Sequence, residues 1–316
     1  MADLKAEGWA PASIPNRSKC ELGERLRRAT GLPLRSITGF LRISRSSYEY
    51  RRARLGRDRD AAIRPLVRDA FEASGGACGY RRVHAELALA GARVSEKRVR
   101  RVMAEEGLVA RPTARAPHRY SSYRGEDGRA VAPNLLLREG MADSHDYSAA
   151  APGERVATDV TEFKLGPAGP KVYLSAAVDL FDGRVAAAPC SASPSKALAQ
   201  ETLRLVASAA RPDCVLRSDR GWHYRTPDRV AGREAAGVER SMSRRGHSPD
   251  NAACEAFFGR MKVELFYGRD WSGWDAARFS GVVGDCVGWY NSGRLKRFAD
   301  GYDTIDGRRG RLGLTA

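Results

Sequence analysis

Two stretches decide the fold: Asp213-Cys-Val-Leu-Arg-Ser-Asp219-Arg-Gly-Trp-His-Tyr224 and Ser248-Pro-Asp-Asn251-Ala-Ala-Cys-Glu255-Ala-Phe-Phe-Gly-Arg-Met-Lys262-Val-Glu-Leu-Phe266. In the first, the apolar pair Val215 and Leu216 stops at Ser218-Asp219-Arg220-Gly221, which reads as a buried strand ending in a polar turn. In the second, Ser248 suits an N-cap and Pro249 the first helical position. On a helical wheel Cys254, Phe257, Phe258, Met261 and Leu265 fill one apolar stripe, and Asn251, Glu255 and Lys262 follow its edge. One carboxylate ends a strand; the other rides a helix where it meets the core. Taken alone, the helix also fits an ordinary amphipathic element with charges on its rim.

A third stretch, Arg155-Val-Ala-Thr-Asp159-Val-Thr-Glu-Phe-Lys-Leu165, has the alternating, β-branched character of a strand. Alternation puts Asp159 on the face of Ala157, Thr161 and Phe163. An acid there is costly to bury unless it is paired or holds a metal. Between Asp219 and Glu255 lie 35 residues, a spacing that means little by itself among 38 acidic residues.

The combination Thr-Asp159-Val-Thr-Glu-Phe, Ser-Asp219-Arg-Gly-Trp-His-Tyr and Asp-Asn251-Ala-Ala-Cys-Glu255-Ala-Phe-Phe resembles the catalytic core of DDE transposases and retroviral-type integrases. It is most similar to the second-frame (OrfB) product of bacterial insertion sequences that make transposase by frameshifting. Ser241-Met-Ser-Arg-Arg-Gly246 and Trp289-Tyr-Asn-Ser-Gly-Arg-Leu-Lys296 add to the likeness, which covers roughly residues 35 to 298. It implies a ribonuclease-H-like α/β core, a mixed sheet with the first Asp mid-strand at its centre, the second Asp ending the neighbouring strand, and the Glu facing both from a helix. It also implies DNA cleavage at element ends followed by 3′-OH strand transfer.

Phosphodiester transfer gathers charge on the attacking, leaving and non-bridging oxygens, and two Mg²⁺ ions roughly 3.5–4 Å apart can neutralise it. Three carboxylates without a cysteine or histidine cluster suit Mg²⁺ or Mn²⁺ better than zinc. The expected assignment has Asp159 bridging two ions, Asp219 on one and Glu255 on the other, with Lys262 on DNA phosphate. Asn251 and His223 are candidates for orienting phosphate or water, or for structural roles. Glu162 and Asp250 are the nearest acidic decoys, and Glu264 faces away from Glu255 on the wheel.

The formal charge is +16, and residues 1 to 100 hold 22 Lys/Arg against 11 Asp/Glu. Such a field favours a polyanion, double-stranded DNA above all, though an evenly basic soluble surface gives the same count. No apolar run approaches the roughly 18 residues of a membrane span, and no signal peptide is evident, so a cytoplasmic protein without a membrane partner is expected. Six scattered cysteines show no Cys-x-x-Cys spacing and read as reduced thiols.

In chain order, residues 1–56 read as a leader, over 1–20, and a helix-turn-helix with helices at 21–30 and 36–41 and a Ser44-capped basic helix. Residues 57–107 read as an all-α helix-turn-helix module resembling the one that precedes the core in the same transposases: a helix over 57–73, then Gly79 to Leu87, then a helix capped by Ser95. Arg81, Arg82, Lys97 and Arg98 are its DNA-contact candidates, and His84 reads as packed rather than ligating. Residues 108–154, with four prolines, read as a linker in which Arg119, Tyr120 and Tyr123 are possible DNA contacts.

The core, 155–270, is expected as strands 156–165, 171–180 and 184–189, a helix over 194–209, strand 213–218, helix 226–236, strand 238–242 and the Glu255 helix. Residues 271–316 comprise a helix over 274–290, a basic patch of Arg294, Lys296 and Arg297, and a tail over 299–316 whose role the sequence leaves open. A non-catalytic DNA-binding regulator has no use for the acidic trio. A same-fold nuclease that does not join strands differs only in assay. The resemblance implies a homo-oligomer on DNA and an upstream-frame product as partner, and no heptad pattern persists in this chain to assemble it alone.

Overall fold

Strand β1 (Arg155–Lys164) is the centre of the fold, in a computed structural model that describes residues 14–111, 132–137, 146–208, 211–221, 224, 237–243 and 251–314. It pairs antiparallel with β2 (Lys171–Asp179), from Val156 opposite Asp179 to Lys164 opposite Lys171. β2 pairs with β3 (Val185–Ala187) and β4 (Cys190–Ser191), so the third expected strand is two short pieces. On its other edge β1 runs parallel to β5 (Val215–Ser218), and β5 parallel to β6 (Glu239–Met242). The order β3-β2-β1-β5-β6 is the ribonuclease-H-like arrangement that the resemblance implied.

Both faces of β1 are covered because its apolar residues alternate. Ala157 and Phe163 pack with Phe257, Phe258 and Met261 of α8 (Ala252–Met261) and with Phe279 of α9 (Ala276–Ser292). Val156 joins Leu216 of β5 and Leu203 and Val206 of α7 (Lys196–Ala207) on the opposite face. Each such fully buried side chain contributes roughly 1.5–3 kcal/mol. Asn291 of α9 clamps the edge strand: its Nδ2 donates to the Val185 carbonyl and its Oδ1 accepts from the Val185 N–H, both at 3.0 Å.

The chain forms two compact units, Met1–Pro65 and Leu66–Ala316. In the first, α1 (Asn16–Thr30), α2 (Leu34–Phe40) and α3 (Arg45–Arg52) enclose Cys20, Ile37, Leu41, Ile43 and Tyr48. The expected leader therefore ends before Asn16, since Cys20 is core. Ser44 caps α3 by accepting from the Ser47 N–H at 3.2 Å. Gly23 faces the Tyr48 ring so closely that a Cβ would sit 2.6 Å from it, and Tyr48 Oη donates to Glu24 at 2.9 Å.

The second unit takes in α4 (Arg64–Ala73) from Leu66 onward, then α5 (Tyr80–Leu89) and α6 (Glu96–Glu105). α4 starts seven residues later than expected because Asp58 and Asp60 turn the chain: Asp58 accepts from the Asp60 N–H at 2.9 Å and pairs with Arg64. Ser95 stands at the N-cap of α6 without a side-chain cap bond. These helices share their unit with the core.

The tail beyond residue 298 is structural. β7 (Lys296–Phe298) and β8 (Gly301–Asp303) form a hairpin, and α10 (Ile305–Arg311) sends Ile305 into the α8–α9 core. Arg309, 4% exposed, donates to Asp182 at 2.7 and 2.9 Å and to Asp179 at 2.8 Å. The expected helix over 226–236, the Ser248-Pro249 helix start, and Arg119, Tyr120 and Tyr123 lie outside the described residues.

Candidate active site

Asp159 lies midway along β1, opposite Ala176 of the neighbouring strand. Its Oδ1 accepts from the Val160 N–H at 2.8 Å. Burial, followed by the nearby charge of Asp219, pushes its carboxyl up to about 7; Glu255 adds to the rise, and hydrogen bonds from Val160 and the Asn251 side chain oppose it. The charges of Asp219 and Glu255 thus both act on Asp159 at the middle of the sheet.

Asp219 directly follows β5, as the polar stop after Val215 and Leu216 requires. Its Oδ1 accepts from the Gly221 N–H at 2.9 Å, closing a tight turn. That turn is anchored to β6 by Arg220 Nε, which donates to the Ser243 carbonyl at 2.8 Å, and by the Ser243 N–H, which donates to Ser218 at 3.0 Å. Glu255 is exposed in the first turn of α8, where the helix dipole favours a negative charge.

Asn251 is the N-cap residue of α8 yet makes no side-chain cap bond. It is 8% exposed, reaches Asp159 instead, and leaves its Oδ1 without a partner. An amide that donates to Asp159 and keeps an unsatisfied buried oxygen beside it invites a cation or a water-bearing ligand. Behind Glu255, burial raises the Cys254 thiol well above its ordinary range, so it stays protonated.

Lys262 opens a single π-helical turn, Lys262–Phe266, that continues α8. Its Nζ lies 5.7 Å from the Phe163 ring centre, and burial lowers its pKa while Glu162 and Asp159 pull it back up. Lys262 thus lies within electrostatic reach of Glu162 and Asp159. The same turn aims Glu264 away from Glu255 and onto Arg294, whose Nε and Nη2 donate at 2.8 and 2.7 Å. Arg82 Nη1 adds a third bond at 3.4 Å.

Two expected DNA contacts are corrected here. Arg294 is 4% exposed and committed to Glu264, because the end of α9 turns its guanidinium inward. Lys296 is partly buried and donates to the Asp182 carbonyl. Arg82 is half-buried in the same Glu264 cluster. Arg81 and Lys97 are exposed on the helical module, Arg98 is half-buried, and Arg297 is exposed. Glu162 pairs with Lys171 at 3.0 Å, and His84 is packed against the Val94 carbonyl at 2.9 Å. His223 and Asp250 lie outside the described residues.

The donor set fits a hard divalent cation in kind and charge: a buried carboxyl, Asp159, raised first by burial and then by the charges of Asp219 and Glu255, with a spare amide oxygen beside it. Among the described residues no three His, Cys, Asp or Glu side chains converge at ligating distance.

The HTH-like domain family matches residues 57–116 and the integrase core domain family residues 149–248. The probable transposase for insertion sequence element IS1353 of Shigella flexneri is 41% identical over 307 residues, covering 96% of this chain and 57% of that relative. The chain thus spans little more than half of the Shigella protein. The putative transposase InsK for insertion sequence element IS150 of Escherichia coli K12 is 33% identical over 279 residues, covering 87% of this chain and 93% of InsK. Among solved structures, the HTLV-2 integrase catalytic core domain in complex with magnesium is 14% identical, with a TM-score of 0.35, covering 50% of this chain and 97% of that one.

Proposed function

We propose a reaction for a chain that belongs to the insertion-sequence transposases with an integrase core domain: metal-dependent cleavage of DNA at the element ends and joining of the freed 3′-OH to target DNA. Water attacks the scissile phosphorus and the P–O3′ bond breaks, releasing a 3′-OH. That hydroxyl then attacks a target phosphodiester, forming a new P–O3′ bond as the target's own 3′ oxygen leaves.

Asp159, Asp219 and Glu255 would hold Mg²⁺ or Mn²⁺, and two such ions would activate the nucleophile and neutralise the leaving oxygen. Asn251 fixes one carboxylate oxygen of Asp159 through its amide. Lys262, with its Nζ 5.7 Å from the Phe163 ring centre, is assigned to a non-bridging phosphate oxygen. The observation that carries this reading is placement: Asp159 stands midway along β1, Asp219 directly follows the neighbouring parallel strand β5, and Glu255 rides the first turn of α8, with the charges of both acting on a buried Asp159.

Arg81, Lys97 and Arg98 on the helical module are assigned to DNA backbone at the element ends. A homo-oligomer on DNA fits the family, and an upstream-frame product is assigned here as the further partner. No helix among the described residues is long and apolar enough to cross a membrane. Nicking and joining of DNA that carries the element's own ends, with and without Mg²⁺, tests the reaction. Joining without any divalent cation refutes it.

A further inference from the structure

A cleft of about 920 Å³ opens beside α8, on the side that carries Ala252, Ala256 and Arg260. That side is about 100° round the helix from Glu255. Six cationic side chains line the cleft: Arg81, Arg82, Arg260, Arg294, Lys296 and Arg297. Among the described residues that line it the carboxylates are Asp179 and Asp182, both held by Arg309, and Arg81 lies 3.7 Å from Glu96 outside the lining. Glu264, behind the wall, takes Arg82 and Arg294. Arg81, Arg260 and Arg297 are exposed, and the last two form no ion pair among the described residues.

A concave wall of one sign focuses its field and draws in an anion, and a cleft of this size takes a ligand larger than a single phosphate. Position narrows the occupant further. Asp159 pairs with Ala176, while Asp179 at the cleft pairs with Val156. Three residues of strand separate them, on the order of 10 Å. A polymer of phosphates can reach both places; a lone anion cannot.

We propose that this cleft holds the phosphodiester backbone of a DNA strand beside the carboxylate site, gripping DNA without taking part in its chemistry. The inference rests on the DNA-acting reading above and adds a second place of contact. The committed guanidiniums of Arg82 and Arg294 set the field, and the exposed arginines close on phosphate.

The test is equilibrium binding of the full 316-residue chain to short duplex DNA across a salt series. Arg260→Glu with Arg297→Glu should weaken binding by about tenfold or more and lower the slope of log K against log salt by about 2. Ala256→Trp, which fills the cleft without changing charge at an exposed position, should weaken binding by a similar factor. Arg204→Glu with Arg211→Glu, the same charge change on exposed residues outside the cleft lining, should leave affinity within about twofold. Wild-type affinity and slope in both cleft variants would overturn the assignment. So would equal weakening by the control pair, which would mark a long-range effect. Asp219→Asn, assayed alongside, separates the two readings. Loss of cutting there with unchanged binding in the cleft variants leaves the reaction standing and removes the cleft; the reverse pattern keeps the cleft and removes the trio.

Discussion

Arg294 forks onto both carboxylate oxygens of Glu264, at 2.8 and 2.7 Å, in a pair only 4% and 10% exposed. The pair fastens the end of α9 to the π-turn that follows the Glu255 helix, and Arg82 brings α5 onto the same carboxylate. Removing one partner of a buried ion pair costs roughly 3–5 kcal/mol, because the other charge stays buried and unpaired. Glu264→Gln should therefore lower stability by about that much in urea unfolding. Arg82→Ala, at 18% exposure and 3.4 Å, should lose less than about 1 kcal/mol. Equal losses in the two variants contradict this ranking.

Arg309 ties α10 to the turn after β2 through Asp179 and Asp182. Arg309→Ala is expected to cost roughly 3–5 kcal/mol and to lower the melting temperature by roughly 6–20 °C. A melting temperature unchanged in calorimetry would mean that the tail does not contribute to the core.

The Asp159 carboxyl sits at about 7 in the fold against an ordinary value of 3.8. A raised folded value stabilises below the unfolded one, and that stability is lost as pH rises through the folded one. Without divalent cation, the wild type should lose up to a few kcal/mol between about pH 4 and pH 7 relative to Asp159→Asn. Asp159→Asn should then be the more stable chain at alkaline pH in chelator, and Mg²⁺ should narrow the gap. Parallel pH profiles for the two chains would show that the acids are not coupled.

Lys262 is held against Phe163 and drawn toward Asp159. Lys262→Ala should slow cleavage by roughly 10²-fold, the loss seen when one preorganised charge-stabilising donor is removed. Unfolding should change little, since the side chain has no buried partner to orphan. Lys262→Arg should recover part of the rate. A destabilised Lys262→Ala chain with normal cleavage would make the residue structural.

Strands β1, β2 and β5 were legible because apolar and β-branched residues alternate or run together and then stop at polar turns, as at Ser218-Asp219. The strand and helix positions of Asp159, Asp219 and Glu255 were legible from the same stops and periodicities. Arg294 and Arg309 were not. A basic residue near the end of a basic chain looks like a DNA contact until its acid is known, and the partners of Arg309 lie 127 and 130 residues away. The start of α4 was misread because Asp58 and Asp60 satisfy each other in a turn that periodicity does not register. Asn251 was singled out from its place on the helix edge, but its contact with Asp159 and its bare oxygen appear only when strand and helix are packed together.

The most direct test compares wild type with Asp219→Asn on DNA bearing the element's own ends, scoring nicked and joined products with Mg²⁺ present and absent, next to DNA affinity. Wild type should nick and join only with Mg²⁺, Asp219→Asn should do neither, and the affinities should agree within about threefold, because Asp219 is assigned to metal and not to phosphate. Strand joining by Asp219→Asn would contradict that assignment.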